Sequence, residues 1–89
     1  MSTREKLLNK FLATPLKRDL TYRELKTLLE SFGYHEHEGE GSRVSFYHPI
    51  LDDMIDLHKP HPNNELKHYQ VKQIQKKLHE ILPRLQQDT

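Results

Sequence analysis

Cysteine is absent from these 89 residues. Disulfides, thiolate nucleophiles and cysteine-based zinc sites are thereby excluded, which leaves histidine and carboxylate as the only candidate metal ligands. Long apolar runs are missing too: none approaches the roughly 18 residues that a membrane-spanning helix needs. No apolar secretory segment follows the charged stretch from Met1 to Lys6, so a cytoplasmic location away from any membrane is expected. Apolar residues are scarce, at 34% against 30% charged, with a mean hydropathy of -0.91. A chain this short buries only about 60% of the surface its unfolded form exposes, so every aliphatic face must turn inward. One domain over residues 1–89 is the expectation.

Charge is present in blocks. The net charge is only +1, but residues 1–33 carry seven basic and four acidic groups, residues 34–58 one and six, and residues 59–89 six and three. An acidic middle repels phosphate unless it folds away, so a polyanion would have to be held locally by residues of the flanks. Seven histidines add groups that change charge near neutral pH.

The hydrophobic period places the elements. Leu7, Leu8, Phe11 and Leu12 form one helical stripe, and Ser2 with Glu5 has the spacing of a capping box, so a helix over about 2–13 is predicted. After a linker at Pro15, Thr21 and Glu24 repeat the capping-box spacing, with Leu20 and Leu25 as a hydrophobic staple. This second helix should run from Tyr22 to Phe32 and end at Gly33, where a left-handed residue is needed. From Tyr34 the period becomes two, and Gly39-Glu40-Gly41-Ser42 separates two extended runs as a hairpin connection does. Strands are predicted at Arg43–His48 and Met54–His58, followed by a loop stiffened by Pro60 and Pro62. A last helix over about 69–82 carries Val71, Ile74, Leu78, Ile81 and Leu82, with Pro83 marking its end. The core should therefore lie over about residues 20–82.

Strands grouped in the middle and helices at the flanks imply an α+β fold: a small three-stranded antiparallel sheet with helices on one face. Alternation sends Val44, Phe46, Ile55 and Leu57 to that covered face. The opposite face would present Arg43, Ser45, Tyr47, Met54, Asp56 and His58, with Lys59 and His61 at its edge. That face is the candidate site. His48 is in phase with Val44 and Phe46, so it is expected as a hydrogen-bonded histidine at the rim of the core. His35-x-His37 and His58-x-x-His61 each offer two imidazoles without an obvious third ligand, so no metal or other cofactor is expected.

Four stretches carry a family resemblance: Thr21-Tyr22-Arg23-Glu24-Leu25 through Gly33-Tyr34, Gly41-Ser42-Arg43-Val44-Ser45-Phe46, Leu57-His58-Lys59-Pro60-His61-Pro62, and Glu65-Leu66-Lys67. In order and spacing they resemble HicA, the toxin of HicA/HicB toxin–antitoxin systems, over about residues 20–80. The resemblance implies a fold like that of double-stranded-RNA-binding domains, cleavage of mRNA, and neutralisation by a HicB-like antitoxin that covers the active face. One position departs from the family: its usual motif is Gly-Ser-His, with the histidine catalytic, where this chain has Gly41-Ser42-Arg43. A guanidinium stays protonated and cannot act as a general base, yet it can hold a phosphate bidentately and stabilise charge on a phosphorane. The chain is similar to a variant of the family in which Gly-Ser-Arg accompanies the His-x-Pro-His-Pro run, so position 43 is either a rewired site or a dead one.

Under that resemblance Arg43, His58 and His61 are the candidate catalytic residues, the two imidazoles supplying acid and base. Arg43, Tyr47, Lys59 and Lys67 are the candidate RNA contacts, the cations by holding phosphates and the tyrosine by stacking on a base, unless it instead packs under the antitoxin. Two other functions remain open: an RNA-binding domain without catalysis, which Arg43 favours, and a protein-interaction module using the open sheet face.

Overall fold

The computed structural model describes residues 3–60 and 63–86. The first helix, α1 (Thr3–Leu12), buries Leu7 and Phe11 one turn apart, with Leu8 and Leu12 packed beside them. The Ser2 capping box lies outside the described residues. Helix ends leave carbonyls without intrahelical partners; here the Gln75 amide donates to the carbonyls of Phe11 and Ala13, at 3.3 and 3.2 Å. Lys10 pairs with Glu24 at 2.9 Å and ties α1 to the next helix.

That helix, α2 (Tyr22–Ser31), starts on the predicted capping box. The Glu24 N–H donates to the Thr21 hydroxyl oxygen at 3.2 Å, and the Thr21 N–H donates to the Glu24 carboxylate at 3.1 Å. Leu20, Leu25, Leu28 and Leu29 are buried. Phe32 caps the helix and Gly33 follows at φ +107°. Only glycine fits there, because a Cβ would stand 2.8 Å from His48 Nε2.

Strands β1 (His35–Glu38), β2 (Arg43–His48) and β3 (Asp53–His58) form one antiparallel sheet in the order β1-β2-β3. The period-two expectation holds: Val44, Phe46, His48 and Ile55 are buried, whereas Arg43, Met54, Asp56 and His58 are exposed on the other face. His48 is a structural residue. Its Nε2–H donates to the Phe32 carbonyl at 2.8 Å and its Nδ1 accepts the Leu51 N–H at 3.1 Å, a pattern only the neutral Nε2–H tautomer satisfies.

The last helix, α3 (His68–Gln86), differs from the sequence expectation at its C-terminal end, since Pro83 lies within it rather than marking its end. A proline there removes the bond to the His79 carbonyl and crowds it. Tertiary contacts outweigh this cost: Ile81 is buried, Leu85 packs on the core, and Arg84 donates to the Leu51 carbonyl at 2.6 Å. The helix also starts one residue earlier, because Gln70 accepts the Lys67 N–H at 2.9 Å in the manner of a capping-box glutamine. Helices α1, α2 and α3 enclose a single cluster against one face of the sheet, with Phe11, Phe46, Leu78 and Tyr34 at its centre.

The acidic middle folds into pairs. Glu36 meets Lys26 and the Tyr22 hydroxyl, Glu38 meets Lys59 at 2.6 Å, and Asp53 meets Lys77 at 2.8 Å and the Tyr34 hydroxyl at 2.7 Å. Burial acts to raise the Glu36 and Asp53 carboxyls, but these partners hold both below the ordinary carboxylate range. Burial, reinforced by the same carboxylates, pushes the Tyr22 and Tyr34 hydroxyls well above the ordinary phenol range.

Candidate functional site

No described helix covers the second face of the sheet, and strand register arranges its side chains in rows. Arg43 stands opposite His58; His37, Ser45 and Asp56 form the next row; His35, Tyr47 and Met54 form the third. Directly opposed residues have Cβ atoms about 4.5–5.5 Å apart, so the Arg43 guanidinium and the His58 imidazole can share one ligand.

Arg43 is placed by its turn. Gly41 takes φ +62°, the Arg43 N–H donates to the Glu40 carbonyl at 3.2 Å, and the Gly39 N–H donates to the Arg43 carbonyl at 2.9 Å. The guanidinium is exposed and makes no hydrogen bond or ion pair among the described residues. It lines a concavity of about 320 Å³ with Glu40, Ser45, Asp56 and His58.

His58 is held from behind. Gln70, 4% exposed, donates to the His58 carbonyl at 2.8 Å while accepting the Lys67 N–H, so one buried amide locks the end of β3 to the start of α3. The Ser42 hydroxyl lies 3.5 Å from His58 Nδ1, a loose contact that leaves the ring accessible. On its other side His58 lines a second concavity, of about 280 Å³, with Ser42, Lys59, Pro60 and Lys67. Lys67 is exposed and without a side-chain partner among the described residues. Of the expected RNA contacts, Arg43 and Lys67 are thus the two free cations.

Lys59 is not free. Its ammonium pairs with Glu38 and lies 5.7 Å from the centre of the Tyr22 ring, so the phosphate contact expected of it competes with an internal partner. The Tyr47 ring is half-buried and its hydroxyl donates to Asp52 at 2.9 Å, which holds the phenol proton more tightly than usual. With the hydroxyl so engaged, the ring is the part left to meet a base. Asp56 accepts the Ser45 hydroxyl at 2.6 Å and keeps a carboxylate one row from Arg43. His61 lies outside the described residues.

One contribution is invisible in the sequence and a second only half legible there. Gln70 reads as one polar residue on an amphipathic helix, and its only signal is its place three residues after Lys67. His35 and His37 have the right parity for the open face, but register across β1 and β2 was needed to align them with Tyr47 and Ser45.

The fold and this face define a class: a small α+β domain with a three-stranded antiparallel sheet backed by helices on one side and polar, histidine-bearing on the other. A family model described as HicA toxin of bacterial toxin–antitoxin matches residues 22–80. The chain belongs to the HicA toxin family. The match begins at α2, so α1 lies outside it. No curated protein and no solved structure matches the chain. Among the described residues no helix is long and apolar enough to cross a membrane.

Proposed function

We propose that this HicA-family chain is a metal-independent endoribonuclease that cleaves mRNA in the cytoplasm and is neutralised by a HicB-like antitoxin seated on the open sheet face, with residues 1–89 acting as one domain. The order α2-β1-β2-β3-α3 is consistent with the double-stranded-RNA-binding-domain-like fold expected of the family. The observation that carries the reading is the pair Arg43 and His58, opposed across β2 and β3 in a concavity on the uncovered face.

Metal-free RNA cleavage removes the proton from a 2′-hydroxyl, attacks the neighbouring phosphorus and stabilises the charge that gathers on its oxygens. His58 supplies the base. Arg43 holds the non-bridging phosphate oxygens bidentately, and Lys67 binds the adjoining phosphate. The antitoxin would close the same face, where Met54 is 53% exposed.

The test is cleavage of an mRNA transcript in EDTA. Arg43→Ala should slow the reaction by up to roughly 100-fold and His58→Ala should remove most of the remainder. Arg43→His separates the alternatives at that position: a loss of rate marks a rewired site, a gain a degenerate one. Undiminished cleavage by His58→Ala would reject the assignment and shift the base to His61. RNA binding without cleavage by the unaltered chain would instead favour a non-catalytic RNA-binding domain, a reading supported by arginine at the position of the family's usual histidine.

A further inference from the structure

His37 has no role in the reaction as described, yet register puts it on the open face beside the proposed centre. It stands opposite Ser45, one step along β2 from Arg43 and on the flank away from His58. Arg43 therefore has an imidazole on either side. His58 is its direct partner on β3, and His37 is the diagonal neighbour on β1, at a spacing of about 7–8 Å. His35 shares the face but is opposed to Tyr47, two residues further along, which adds roughly 7 Å. The sheet thus selects one histidine of the His35-x-His37 pair.

Cleavage by a 2′-hydroxyl needs two proton transfers at opposite ends of one axis through phosphorus, because the attacking and leaving oxygens lie in line. A guanidinium flanked by two imidazoles matches that requirement. We infer that His37 is the second catalytic imidazole, the general acid at the leaving 5′-oxygen, an inference that rests on the nuclease reading above. His58 takes the 2′-hydroxyl proton, and the 2′-oxygen forms a bond to phosphorus. The bond from phosphorus to the 5′-oxygen breaks, and the departing electron pair takes a proton from the His37 imidazolium. The products are a 2′,3′-cyclic phosphate and a free 5′-hydroxyl, and no co-reactant is consumed.

The charged and titratable groups on the face that carries His37 are Arg43 and Tyr47 on β2, Asp56 and His58 on β3, and His35 on its own strand, with Glu40 in the hairpin turn; Glu38 is opposite Val44 on the covered side and pairs with Lys59. His37 is exposed, so its replacement should leave the core intact.

The experiment is a pH–rate profile on a short RNA in EDTA for the unaltered chain and for His35→Ala, His37→Ala, His37→Gln and His58→Ala. Both His37 variants should lose at least 100-fold in kcat together with the alkaline limb of the bell, while RNA affinity and the thermal midpoint stay put. His35→Ala should match the unaltered chain. A substrate with sulfur in place of the leaving 5′-oxygen needs no acid, so His37→Ala should cleave it at close to the normal rate while His58→Ala stays impaired. A retained alkaline limb in His37→Ala, or an equal loss on the oxygen and sulfur substrates, would overturn the inference and leave the nuclease reading standing. Failure of the unaltered chain to cleave any RNA would sink both.

Discussion

At the scale of single residues, partnering decides which cations can serve the site. Lys59 and Lys67 flank the same concavity, but only Lys59 has an ion pair, with Glu38. A cation released from an internal partner gains little by meeting a phosphate, whereas an unpaired one displaces counterions from RNA. Lys67→Ala should therefore lower RNA affinity and flatten the slope of log K against log salt by about 1, as Arg43→Ala should. Lys59→Ala should change that slope by much less. Equal slopes for Lys59→Ala and Lys67→Ala in a salt titration would mean that the Glu38 pair opens on binding.

At the scale of elements, α3 carries a local conflict that tertiary contacts override. Pro83 is unfavourable by about 3 kcal/mol relative to alanine in a helix interior, and less in a terminal turn. Pro83→Ala should consequently raise unfolding stability by about 1–3 kcal/mol in urea, with the helix ending where it now does. No gain would mean that the His79 carbonyl is satisfied by another group. From sequence alone this helix is the least legible element, because a proline followed by Arg84 and Leu85 reads as a stop until Leu51 and Asp53 are seen to meet Arg84.

At the scale of the whole molecule, carboxylates paired with lysines join the elements: Glu24 with α1, Glu36 with α2, Asp53 with α3. All three are held below their ordinary range in the folded chain. A carboxyl whose folded pKa is depressed contributes stability above its unfolded pKa and loses that contribution as pH falls through the folded value. The contribution of these three carboxylates should thus be complete near neutrality and be lost progressively below about pH 5, where unfolded carboxyls begin to bind protons that the folded ones refuse. Asp53→Asn should cost about 1.5–3 kcal/mol at pH 7 and less at pH 3, read from urea midpoints. A penalty independent of pH would assign Asp53 a packing role alone.

The sequence by itself determined the elements and their faces. Thr21 and Glu24 start α2, Gly33 ends it, and alternation from Arg43 to His58 sorts core from open face, because capping and side-chain parity are local properties of consecutive residues. Tertiary structure alone decided which open-face residues become neighbours. Parity says that His37, Arg43 and His58 share a side, but only hydrogen-bonded register puts Arg43 between the two imidazoles. The pairing of Lys59 with Glu38, the anchoring of His58 by Gln70 and the passage of α3 through Pro83 likewise depend on groups distant in the chain. Such contacts have no period or spacing to reveal them, since their energies exist only once the chain has brought the partners together.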